Sequence, residues 1–185
     1  MSEIGLPEKL VTVDAALRDA LVAHAFGGAI ALAYYAEPRA TIDIDCNVFV
    51  RVDEHRRVTD ALREVGVDVG LDPVRLDADG QVRLWWGRTP TNLFFAYDPF
   101  HDAMAVAARQ VAFRDTTIPI LSAEHLVVCK AVFDRRKDWL DIEQVLVSVP
   151  GFDAAEVRRW LPRIVGADDP RAERFDGLAR TLLGR

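Results

Sequence analysis

The chain has 185 residues, half of them hydrophobic and 28% charged, which is ordinary globular composition. That gives room for one well-cored domain, or one with a small helical appendage, and excludes two large unrelated ones. A net charge of -6 and a pI near 5.2 exclude a protein that coats nucleic acid through a broad basic surface, while leaving room for a local patch. No apolar run approaches the roughly 20 residues of a membrane-spanning helix. With Cys46 and Cys129 the only cysteines and no signal-peptide pattern near the start, the expected setting is a reduced cytoplasm.

In chain order, Leu10, Val13, Leu17 and Leu21 recur at helical spacing after Pro7 and predict an amphipathic helix. A short strand ending at Phe26 leads into Gly27 and Gly28, then an apolar helix from Ala29 to Tyr35 that Glu37 and Pro38 close. From Thr41 to Val50 the pattern alternates: Ile42, Ile44, Cys46 and Val48 lie on one face and Asp43, Asp45 and Asn47 on the other, as in a half-buried strand. A helix over Glu54 to Val65 follows, then strands over Val82 to Trp86 and Asn92 to Tyr97 that are expected to pair as a hairpin about a turn containing Gly87. A short helix over Ala103 to Arg109 and a strand over Thr117 to Leu121 complete a mixed portion. After Ser122, a candidate helix N-cap, the remainder reads as helices broken at Pro150, Gly151, Gly166 and Pro170. The expected division is therefore a mixed α/β (α+β) core over 1–121 and a helical region over 122–185 packed on it.

Asp43 and Asp45 stand two apart on one predicted strand, so their carboxylates project from one face with Cα atoms roughly 6.5–7 Å apart. Two acids side by side repel each other unless a cation lies between them. Magnesium is bound by such hard oxygens together with substrate phosphates. Gly27 and Gly28 sit between a strand and a helix, where the backbone can approach phosphate oxygens closely. A di-glycine alone is usually only a turn. Joined to a strand-borne D-x-D, it points to a metal–nucleotide site, although the aspartates also fit the solvated face of an edge strand.

The stretch HAFGGAIALAYYAEPRATIDID, from His24 to Asp45, resembles the opening motif of the minimal nucleotidyltransferases. It is most similar to the abortive-infection toxin branch (AbiEii-like), in which a glycine-rich turn precedes R-x-T-x-D-I-D; Arg39, Thr41, Asp43 and Asp45 match that ending. Downstream, ILSAEHLVVCKAVFDRRKDWLDIEQVL, from Ile120 to Leu146, resembles the lysine-bearing helix and K-D-x-x-D segment of the same branch, with Lys130, Lys137, Asp138 and Asp141 on the matching positions. The resemblance implies a polymerase-β-type mixed sheet flanked by helices. It further implies Mg2+ (or Mn2+) on Asp43 and Asp45, a nucleoside triphosphate cradled by Gly27 and Gly28 with Arg39 and Thr41 nearby, phosphate charge met by Lys130, and Asp138 and Asp141 at the back of the site. The implied acceptor is RNA, such as a tRNA end, and the implied partner an antitoxin protein.

One position departs from that pattern. A third carboxylate is expected on a neighbouring strand, and TNLFFAY offers Asn92 there. An amide oxygen can ligate a cation but cannot act as a general base. Asp98 or Asp141 is the available substitute. The sequence thus supports a nucleotidyltransferase, or a degenerate one that binds nucleotide without efficient transfer; a D-x-D glycosyltransferase fits the nearby glycine turn poorly. Lys130 also fits a snorkelling core-edge residue, Asp138 and Asp141 ordinary helix-face partners of arginines, and the outward ring of the Trp85–Trp86 pair partial burial against the helical tail.

Overall fold

The computed structural model describes residues 4–184. The chain divides into two compact units, one of residues 1–30 and 40–120, the other of residues 31–39 and 121–185. The first opens with helix α1 (Leu6–Asp19), which has Pro7 in its first turn, where the missing amide hydrogen costs nothing. Leu10, Val13 and Leu17 form its buried stripe. Leu21 does not continue it: the helix ends at Asp19, and Leu21 lies beyond the cap at φ 55° and is 81% exposed. Two charged residues of α1 are buried instead. Lys9 donates from Nζ to the Trp86 carbonyl and the Thr89 hydroxyl, and Asp14 meets both His24 and Arg18. The Lys9 ammonium also stands 5.7 Å from the centre of the Trp86 ring, so Trp86 is the ring of the pair that faces α1, while Trp85, the outward one, is 46% exposed.

Six strands form one mixed sheet: β1 (His24–Phe26), β2 (Ile44–Arg51), β3 (Gln81–Trp86), β4 (Thr89–Ala96), β5 (Arg109–Phe113) and β6 (Thr116–Ile120), in the order β3-β4-β2-β1-β6-β5. β2 runs antiparallel to β1 and parallel to β4. Being interior, β2 does not place its aspartate on an edge strand. Its Ile44, Cys46 and Val48 are fully buried, as the alternation requires, but Asn47 is buried as well, and Ile42 stands before the strand and is 69% exposed. Thr41 and Asp43 likewise precede β2, and the Asp43 amide donates to the Thr41 hydroxyl.

The β3–β4 hairpin closes through two residues, Gly87 and Arg88, with Gly87 at φ 60° as such turns demand. Helix α3 (His55–Glu64) follows a single 3-10 turn, Val52–Glu54. Helix α4 (Pro73–Asp79) and strand β5 are additions to the sequence expectation. The first buries only Leu76 and the second buries no residue, its side chains being exposed or half-exposed, so neither leaves a hydrophobic period to read. Helix α5 (Pro99–Ala107) begins earlier than expected because Asp98 caps it, accepting from the amides of Phe100 and His101.

In the second unit, residues 31–39 join helices α6 (Ala123–Phe133), α7 (Arg136–Ser148), α8 (Ala154–Val165) and α9 (Pro170–Leu183). The expected helix over 29–35 is only α2 (Gly28–Leu32), after which the Tyr35 hydroxyl donates to the Leu121 carbonyl at 2.7 Å. Trp139 is fully buried at the centre of these helices, its indole N–H donating to Asp134. A Trp this deep contributes several kcal/mol of apolar burial, on the order of 3 or more. No helix among the described residues is long and apolar enough to cross a membrane.

Ser122 caps α6 through its hydroxyl, which accepts from the His125 amide and lies 2.7 Å from the His125 Nδ1. Burial holds the His125 imidazole below its ordinary value of 6.5, against the pull of Glu156 and Glu124. The unfolded chain therefore takes up that proton first, so the contribution of His125 is full above 6.5 and is lost as the pH falls through that value toward the lower folded one. Thermal melts from pH 8 to pH 5 are expected to show a decline that His125→Gln reduces; equal slopes in both proteins would show that other groups set it.

Candidate active site

The residues singled out in the sequence fall into two groups, each within one unit. The first is built on the sheet. Asp45 is half-buried on β2, and the parallel register sets Asn92 of β4 directly beside it. The Asn92 amide nitrogen donates to Asp45 Oδ1 at 2.8 Å, and Arg83 on β3 donates from Nε to the Asn92 oxygen, also at 2.8 Å. Three neighbouring strands thus present a guanidinium, an amide and a carboxylate in one hydrogen-bonded row.

Gly28 lies on the other side of Asp45. It sits at φ +55°, in the left-handed region, and an added Cβ would stand 2.8 Å from Asp45 Cγ and collide with Oδ2. The close approach that the glycine permits is therefore made by the carboxylate of Asp45. Gly27 contributes in a different way from that expected: its amide donates to the Asp45 carbonyl at 2.8 Å, which fixes the turn and leaves that N–H spoken for. Gly27, Gly28, Asp45, Asn92 and Arg83 form one hydrogen-bonded and closely packed corner, with Asp43 and Thr41 just before β2.

The second group belongs to the helices. Lys130, on α6 and only 4% exposed, donates from Nζ to Asp141 Oδ2 of α7 at 2.6 Å, and Asp138 Oδ1 is 3.9 Å away. Arg39 reaches the same Asp141 oxygen at 3.2 Å, inside the same unit. Asp138 is fully buried and closes the first turn of α7, accepting from the backbone amide and the guanidinium of Arg135. Lys130 therefore neither snorkels nor offers an uncommitted ammonium. Its charge is matched inside its own unit, as a buried cation requires.

Neither proposed substitute for a third carboxylate is uncommitted. Asp98 accepts from two amides and from the His101 ring, while Asp141 is held by Lys130 and Arg39. Among the described residues no group of three or more His, Cys, Asp or Glu side chains is arranged to hold a metal ion. The donor chemistry at the β2 corner is that of two hard carboxylates, which suits an ion whose remaining ligands are phosphate oxygens and water. Cys46, beneath the corner, is buried and its thiol pushed far up by desolvation, with Asp14 and Asp45 adding to the effect, so it is an inert core residue.

Arg83 is the member of the corner that sequence reasoning missed. Its signal was present: a two-residue turn at Gly87–Arg88 pairs Trp86 with Thr89 and, counting back along both strands, Arg83 with Asn92.

No protein-family profile matches the sequence, and no curated protein does. Among solved structures, that of the antibiotic-resistance factor ANT(2'')-Ia superposes with a TM-score of 0.61 at 11% identity and covers 97% of each chain. The lincosamide antibiotic adenylyltransferase LnuA, with lincomycin bound, gives 0.55 at 12% identity over 80% of this chain and all of its own. An antigenic nucleotidyltransferase-like protein from Paracoccidioides brasiliensis gives 0.51 at 14% over 97% of each. At such identities the likeness speaks for architecture: this chain has the fold of the nucleotidyltransferases.

Proposed function

We propose that this protein is a nucleotidyltransferase that moves a nucleoside monophosphate from a magnesium-bound triphosphate to an acceptor hydroxyl. The observation that carries the reading is the packing of Asp45 against Gly28, which sets a strand-borne carboxylate at a strand-to-helix turn in a protein of this fold. Asp43 and Asp45 would hold the ion that arrives with the triphosphate. That ion, when bound, offsets phosphate charge in the transition state. Asn92 and Gly28 keep Asp45 oriented, and the Gly27 amide keeps the turn closed.

A small hydroxylated molecule is the acceptor class favoured. The chain carries net negative charge, which suits a polyanionic RNA poorly. It also aligns along nearly its whole length with ANT(2'')-Ia, a structure of which holds adenylyl-2''-tobramycin. An RNA end as acceptor, an antitoxin partner and the abortive-infection branch remain the alternatives implied by the sequence resemblance. Incubation with each labelled triphosphate, magnesium and in turn an aminoglycoside, a lincosamide and total tRNA tests the choice. Label on a small molecule is expected; label on RNA would replace the acceptor, and label nowhere with any triphosphate would remove the transferase reading.

One observation favours a second reading, a protein that binds nucleotide and transfers it slowly. Asn92, beside Asp45, supplies no base for the acceptor hydroxyl. Asn92→Asp is therefore expected to raise the rate of transfer, by about 100-fold to 10,000-fold if residue 92 takes up the proton. An unchanged or lower rate in a folded variant would show that the base lies elsewhere.

A further inference from the structure

The orientation of the Asn92 amide is fixed by chemistry. Arg83 has only donors to offer and an ionised Asp45 only acceptors, so the Asn92 oxygen must face Arg83 and its nitrogen must face Asp45. A side chain turned this way presents N–H, not a lone pair, to the space beside Asp45. Its ligating atom is bound to a guanidinium on the far side. Arg83 also polarises the amide, which strengthens the hydrogen bond that Asp45 receives. The row therefore delivers positive partial charge to the β2 carboxylate where a second divalent ion would need negative charge.

Two ions 3.5–4 Å apart, as in two-metal phosphoryl transfer, repel strongly and are held by carboxylates shared between them. Here Asp45 already gives Oδ1 to Asn92, and neither Asp98 nor Asp141 is uncommitted. We infer that Arg83 and Asn92 make this a one-cation site: the ion of the metal–triphosphate binds to Asp43 and Asp45, and the guanidinium-polarised amide occupies the place of a second. The inference rests on the nucleotidyltransferase reading above and concerns only how that site is charged. Arg83 is in this account a positioning residue, acting on Asp45 through Asn92.

The test is a count of Mn2+ bound per chain, by electron paramagnetic resonance, in the presence of saturating α,β-methylene analogues of ATP, GTP, CTP and UTP in turn. The wild type is expected to bind one Mn2+ with the analogue it accepts, and Asn92→Asp two. In Asn92→Asp the melting temperature without metal should also fall, since two carboxylates then face each other, and Mn2+ should raise it more than it raises the wild type. A wild type that binds two ions overturns the inference alone and leaves the transferase reading standing. A wild type that binds neither ion nor analogue overturns both. If Asn92→Asp does not fold, the wild-type count still decides.

Discussion

Replacing Lys130 by methionine is expected to destabilise the protein by about 3–5 kcal/mol, because it strips a fully desolvated cation from Asp141 and leaves that carboxylate with Arg39 alone. For a chain of this size the loss amounts to on the order of 10 °C in melting temperature. Arg39 is a weak replacement, since its side chain is 37% exposed and its contact, at 3.2 Å, is longer than the 2.6 Å made by Lys130. Removing both charges, as Lys130→Met with Asp141→Leu, should recover much of the stability, as replacing a whole buried pair by apolar groups commonly does. Melting curves of the two variants check this. A Lys130→Met protein of wild-type stability that fails to bind triphosphate would instead put the ammonium on phosphate, as the sequence resemblance implies.

Gly28→Ala is expected to abolish triphosphate binding and to destabilise the fold, although it adds a single carbon. The backbone at φ +55° costs a side-chain-bearing residue roughly 1–3 kcal/mol, and the new Cβ drives Asp45 out of its position and away from Asn92. These two effects separate in a double-mutant cycle with Asp45→Ala. Once the carboxylate is gone its clash is removed and only the backbone term and a 3.0 Å contact with the remaining Cβ of residue 45 are left, so the double variant should be more stable than the sum of the single losses predicts. Strict additivity would mean that Gly28 serves the turn alone and that its contact with Asp45 carries no energy.

Much of this site was legible because its signals are local. Asp45 falls on the two-residue repeat of β2, whereas Asp43, expected on the same strand, stands just before it; the glycines punctuate a strand-to-helix turn, and Asn92 is a polar residue ahead of the apolar run of β4. What was not legible depends on register and on burial. Arg83 reads as an ordinary exposed strand residue until the two-residue turn is recognised and its partner identified. Lys9 and Asp14 look like the wet face of α1, yet both are buried because the Trp86 carbonyl, Thr89 and His24 satisfy them. Arg39 lies four residues before Asp43 but pairs with Asp141, a hundred residues on, since the segment it ends belongs with the helices. Short or half-exposed elements such as α4 and β5 bury too few side chains to leave a period, and the hydrophobic pattern is silent there.

The corner of Gly28, Asp43 and Asp45 is expected to bind a metal–triphosphate. Isothermal titration with magnesium and the α,β-methylene triphosphates tests it most directly, in the wild type and in Asp43→Ala and Asp45→Ala. Binding of at least one analogue by the wild type, dependent on magnesium and lost in both folded variants, is the expected result. Binding that persists undiminished in both would place the nucleotide elsewhere on the protein and remove the two aspartates from its site.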